Sequence, residues 1–97
     1  MVEHLVLFKW KEGADTNVIS AAMAALRALK GKIPGIVELT CGENFSERSQ
    51  GFNCGLLVRF ESRDALEGYG PHPAHQEVVQ NLLAPIRADI IVVDFQG

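Results

Sequence analysis

The segment His4-Leu5-Val6-Leu7-Phe8-Lys9-Trp10 limits the fold more than any other part of the chain. It is short, β-branched and aromatic, which predicts a strand. Alternation puts His4, Val6, Phe8 and Trp10 on one face and Leu5, Leu7 and Lys9 on the other. Both faces are largely apolar, so both need cover. A chain of 97 residues reads as one domain, residues 1–97, with material for a single helical layer. That layer covers one face of a sheet. A second copy of the chain is expected to cover the other.

The remaining patterns alternate between helical and strand periods. Gly13 and Asp15-Thr16 mark a turn and a helix N-cap. Val18, Ile19, Ala22, Met23, Leu26 and Leu29 then recur at helical spacing, in an alanine-rich run that Lys30, Gly31 and Lys32 bring to an end. Met23 reads as gap-filling core. Pro34-Gly35 signals a turn into a strand over 36–41, with Val37, Leu39 and Cys41 on one face and Ile36, Glu38 and Thr40 on the other. Residues 42–51 are polar and read as a mobile loop, whose Phe45 either packs back onto the sheet or closes over a pocket.

A third strand follows over 53–61, where Cys54, Leu56, Val58 and Phe60 alternate with Asn53, Gly55, Leu57 and Arg59. Ser62 caps a short helix from 63 to about 68. Pro73 suits the first turn of the next helix, 73–83, because its missing N–H would be unbonded there; Pro85 ends it. Residues 89–95 form the last strand. The order β-α-β-β-α-β predicts an α+β, ferredoxin-like fold, a four-stranded antiparallel sheet with its helices on one face. The bare face would show Leu5, Leu7, Leu57 and Ile91 or Val93, too much apolar surface for a monomer. Two such sheets facing each other make a homodimer, a dimeric α/β barrel.

Charge narrows the partners. The net charge is −3, and the nine lysines and arginines are scattered rather than aligned, so nucleic acid is not an expected partner. The longest apolar runs fall far short of a bilayer span and no leader pattern opens the chain, which predicts a soluble, cytoplasmic protein without a membrane partner. Cys41 and Cys54 are too few for a disulfide framework and lack metal-site spacing. They could lie near one another across a hairpin, but reduced, buried thiols are expected.

The chemistry-bearing stretch is Tyr69-Gly70-Pro71-His72-Pro73-Ala74-His75, which holds two of three histidines and the only tyrosine. His75 starts an apolar helical stripe with Val78, Val79, Leu82 and Leu83. A tyrosine and a histidine here could put two proton-transfer groups at one pocket mouth. The plainer reading makes His75 a core histidine bonded to a carbonyl and His72 a helix cap. His72 and His75 stand three apart with no carboxylate in the turn before Glu77, so no metal is expected.

Taken together, His4 through Lys11, Gly51-Phe52 leading into a strand that ends Phe60-Glu61-Ser62, Tyr69 with His72-Pro73-Ala74-His75, and the closing Val93-Asp94-Phe95 resemble the stress-responsive A/B barrel (Dabb) family over nearly the whole chain. The resemblance implies a ferredoxin-like fold that dimerises through its sheets. It also implies links to stress responses and heat-stable assemblies. One enzyme of that family, olivetolic acid cyclase, closes a linear polyketide by an aldol-type condensation. Its catalytic tyrosine and histidine would correspond to Tyr69 and His75, and its first-strand histidine to His4. Where it has a further histidine on the third strand this chain has Cys54, which cannot supply the same donor–acceptor pair.

Two function classes follow. In the first, a homodimer holds a small apolar or aromatic ligand near His4, Phe8, Cys54, Leu56, His72 and Val79, or fills that space with packing, and does no chemistry. In the second, His75 is a general base toward a carbon next to a carbonyl and Tyr69 donates to the oxygen where charge develops. Phe8, Leu56, Val58, Val79 and Leu82 would suit an apolar oxo-compound. Neither class calls for a metal or organic cofactor.

Overall fold

The first strand, β1 (Val2–Trp10), lies inside the sheet, bonded on both sides. In the computed structural model, which describes residues 1–97, the strands run antiparallel in the order β2-β3-β1-β4, with β2 at Ile36–Glu43, β3 at Cys54–Phe60 and β4 at Arg87–Gln96. This is the ferredoxin-like arrangement predicted from the order of periodicities. Val6, Phe8, Leu56, Val58 and Phe60 fill the helix-facing side of the sheet and meet Ala22, Met23, Leu26 and Leu29 from the first helical segment.

That segment, α1 (Thr16–Ala28), is capped by Asp15, whose carboxylate accepts the Asn17 N–H at 2.7 Å. It leaves through one 3₁₀ turn, Leu29–Gly31. The helix α2 (Arg63–Tyr69) starts under Ser62, whose hydroxyl accepts the Ala65 N–H at 3.2 Å. The pattern over 73–83 divides into α3 (Pro73–Val78) and a π-helical turn, Val79–Leu83, closed by an Ala84 N–H bond to the Val79 carbonyl at 2.8 Å. The wider turn still buries Leu83. No helix is long and apolar enough to cross a membrane.

Two local expectations need correction. Ile36 opposes Phe60 and Glu38 opposes Arg59, so one residue of β2 is extra there. The bulge shifts the alternation by one, and Ile36 packs against the core beside Leu39 and Cys41 rather than sharing a face with Glu38 and Thr40. Phe45 neither returns to the sheet nor covers a pocket; it is 99% exposed. The loop that carries it is tied at its base. Asn44 N–H donates to the Asn53 carbonyl at 2.8 Å, Asn44 Nδ2 to the Phe52 carbonyl at 2.9 Å, and Asn53 N–H to the Phe8 carbonyl at 2.8 Å.

Cys41 and Cys54 are both free thiols. Cys41 stands opposite Leu56 and Cys54 opposite Glu43, so the two are diagonal neighbours on the strand pair. Burial pushes both thiols up. Such thiols are poor nucleophiles.

The face away from the helices is apolar in its middle. Leu57, Leu5 and Val93 stand abreast across three strands, and Ile91 lies beside Leu7. Leu57, Ile91, Val93 and Phe95 are 37, 42, 46 and 49% exposed. Arg59 borders this patch. Its Nε donates to the Glu3 carboxylate at 2.9 Å, and its Nη1 lies 3.4 Å from Glu38. The bond from Arg59 holds the Glu3 carboxyl below its ordinary range.

Candidate functional site

Tyr69 is the last residue of α2 and His75 lies in the first turns of α3, so a short link decides how they meet. His72 accepts the Ala74 N–H on Nδ1 at 3.1 Å, and its own N–H donates to the Tyr69 carbonyl at 3.2 Å. His72 is therefore the cap of α3. Its capping nitrogen carries no proton. His75 Nδ1 lies 2.9 Å from the Gly70 carbonyl, which also accepts Gln76 Nε2 at 2.7 Å. A carbonyl only accepts, so Nδ1 carries the proton and Nε2 keeps its lone pair.

These turns lay the His75 ring against the Tyr69 ring, with centroids 4.2 Å apart and planes tilted by 41°. Phe60 meets Tyr69 edge-on at 5.1 Å, and His4 does so at 5.7 Å. His4 in turn donates from Nδ1 to the carboxylate of Asp94, its neighbour across β1 and β4. The result is a row, Asp94, His4, Tyr69, His75, that runs from the sheet edge into the interior. Three residues predicted to act together are in contact.

Electrostatics separate the pair's two titrating members. Tyr69 is 2% exposed, and burial pushes its phenol up to about 12. Its hydroxyl has no hydrogen-bond partner. Burial also holds the half-buried His75 below its ordinary 6.5, against the opposing effect of the Gly70 carbonyl. At neutral pH, Tyr69 is thus a donor and His75 an uncharged base. Environments that move two titrations apart in this way separate acid and base roles.

The other predicted ligand-contact residues form a separate group. Phe8 and Leu56 are solid core, and Cys54 is buried opposite Phe8 on β3. Phe8 lies four residues along β1 from His4, about 13 Å. Val79 packs at the edge of the core in the π-helical turn. The larger clefts are not lined by Tyr69 or His75. One of about 350 Å³ reaches the row from the side, between α2 and the end of β4, where Arg63, Leu66 and Glu67 face Val2, Asp94 and Phe95. No three of the histidines, cysteines and carboxylates converge as metal ligands.

Asp94 and Phe60 were not foreseen as part of the row. A carboxylate between Val93 and Phe95 was a visible signal for Asp94, because alternation puts it on the helix side of an apolar strand. Its partner depended on the register between distant strands. Phe60 looks like any other core position until α2 is placed over it.

A family model described as the stress responsive A/B barrel domain matches residues 2–96. A stress-response A/B barrel domain-containing protein of Arabidopsis thaliana is 34% identical over 95 residues, 98% of this chain and 36% of its own length. The chain therefore spans about a third of that relative. Among solved structures, a dimeric ferredoxin-like protein from Jannaschia sp. CCS1 is 33% identical with a TM-score of 0.83, covering 99% of this chain and 98% of that one. A hydroxynitrile lyase from Passiflora edulis shares the fold alone, with a TM-score of 0.87 at 20% identity over 97% of this chain and 90% of its own.

Proposed function

Because this chain belongs to the stress-responsive A/B barrel family, we propose that it acts as a stress-related homodimer joined sheet to sheet, each copy holding a small apolar or aromatic molecule beside Tyr69 and His75. The dimeric Jannaschia structure supports the pairing, and so does the open face around Leu5, Leu57 and Val93. The pocket rests on one observation, the Tyr69 hydroxyl. It is buried and unbonded, which costs about 1–3 kcal/mol. A ligand carbonyl would satisfy it. Entry is by the groove between α2 and β4, which Asp94 lines and from which the row continues through its bond to His4.

The same geometry favours a second reading, a cofactor-independent enzyme. His75 Nε2 would take a proton from a carbon next to a carbonyl, and the Tyr69 hydroxyl would donate to the enolate oxygen formed. The proton then returns from His75 to carbon or to a leaving group. Binding and catalysis differ in which variant matters more. A ligand site loses affinity in Tyr69→Phe, whereas an enzyme also loses turnover in His75→Gln with binding kept.

Thermal shift and calorimetry with aromatic ketones and polyketide-like acids test both readings. Tyr69→Phe should stabilise the free protein by about 1 kcal/mol and weaken binding about tenfold. Unchanged binding would sink the pocket assignment. Acid should weaken the fold as pH falls below 6.5, because His75 then binds a proton more readily unfolded than folded. His75→Gln should flatten that part of the stability profile, and an unchanged slope would mean that another group controls it.

A further inference from the structure

A second hollow lies at the opposite end of the sheet, and it has no part in the Tyr69 site. It measures about 380 Å³, within the range of small-molecule sites, and opens between α1 and the β2–β3 connection. Trp10 and Phe52 supply its apolar wall; Thr16, Ser20, Glu43 and Asn53 supply polar groups. Trp10 stands six residues along β1 from His4, about 20 Å. A smaller hollow continues it along α1 past Met23.

The walls are held in place before any ligand arrives. Asn53 Oδ1 accepts the backbone N–H of Trp10 at 2.8 Å, Asn44 is bonded at both ends of its amide, and Ser49 Oγ accepts the Gly51 N–H at 3.3 Å. Phe8 stacks on one face of the indole at 5.2 Å with planes 11° apart, which fixes the ring and leaves the rest of it to border the hollow. Other polar groups are left over. Asn53 Nδ2 and the Thr16 and Ser20 hydroxyls make no side-chain hydrogen bond, and Glu43 has no part in the three ion pairs.

This set selects by exclusion. No lysine or arginine lines the hollow itself; Arg27, in the smaller continuation, donates to the Cys41 carbonyl at 2.9 Å, and Lys9 lies over the Phe52 ring. The one charge in the lining is therefore the carboxylate of Glu43, which disfavours a phosphate or carboxylate. A wholly apolar guest would bury a carboxylate and two hydroxyls without partners. A neutral ring with one apolar face and several hydroxyls meets both needs. Its C–H face lies on the indole, and its hydroxyls donate to Glu43 and accept from Asn53 Nδ2. We propose that the hollow between α1 and the β2–β3 connection binds a neutral saccharide, with Trp10 as platform and Glu43 as principal acceptor.

Trp10 is the only tryptophan, so its indole N–H resonance reports on this site alone. Methyl glucoside and cellobiose should move that resonance saturably, with half-saturation in the range of about 1–10 mM. Glu43→Gln should weaken the effect about tenfold and Ser20→Ala by less, because the bond to a charged acceptor is the stronger. Tyr69→Phe should leave it unchanged, so loss of the Tyr69 pocket and loss of this site can be told apart. No movement up to about 100 mM overturns the proposal. So does an equal response to cyclohexanol or to glucose 6-phosphate, or a saccharide response that survives Glu43→Gln.

Discussion

Leu57→Glu is expected to convert a dimer into a folded monomer. Leu57 stands beside Leu5 at the centre of the open face, with Val93 on the far side of Leu5. In the sheet-to-sheet pairing proposed above, a glutamate there would be buried in both copies with no free counter-ion, because Arg59 at the edge of the patch is already bonded to Glu3 and Glu38. Removing two charges from water without partners costs several kcal/mol, so the dimer dissociation constant should rise about a thousandfold. The variant should still fold, because Leu57 is already 37% exposed in the single chain. Light scattering over a concentration series would give the mass, and far-ultraviolet circular dichroism the fold. Phe45→Glu, at an exposed site on the β2–β3 loop, should leave the mass unchanged. A monomeric native protein, or a Leu57→Glu variant as dimeric as the parent, would refute the pairing.

Gly35→Ala should cost about 3 kcal/mol, from two sources that can be separated. Gly35 has φ of +89°, a conformation that side-chain-bearing residues rarely adopt. A Cβ added there would also stand 2.6 Å from the Cβ of Ala65 on α2. Something would have to shift, and α2 is the helix that delivers Tyr69. For a chain of this size the expected drop in Tm is about 15 °C. Adding Ala65→Gly removes the collision but leaves the backbone strain, so the double variant should recover part of the loss. A neutral Gly35→Ala would mean that the turn and α2 are not packed as described.

Much of this architecture was legible in the sequence, and the reasons can be seen residue by residue. The two-sided apolar run of β1, the Asp15 and Ser62 caps and the Pro73 helix start are local signals that the structure reproduces. Pro34-Gly35 announced a turn, but not that Ala65 would rest against it. That contact joins segments thirty residues apart. The β2 bulge was hidden for a related reason, since an extra residue shows only when two strands are laid side by side. At the candidate site, the turn from Tyr69 to His75 was evident because proline, glycine and histidine cluster there. Asp94 required the β1–β4 register, and the distance of Phe8 and Cys54 from Tyr69 required the whole sheet.

The alternation of β4 carries a last consequence. Val93 and Phe95 point to the open face, while Asp94 between them turns the other way to hold His4. In the pairing and pocket proposed above, one stretch of backbone would thus serve both the mating surface and the wall of the pocket. If what steadies Asp94 also steadies its two neighbours, occupancy of that pocket and self-association would be thermodynamically coupled, each strengthening the other by an equal factor. Asp94→Asn should loosen the pair of subunits by about three- to tenfold even though Asp94 lies outside their contact, and ultracentrifugation that found no change would show the two faces of the strand to be independent.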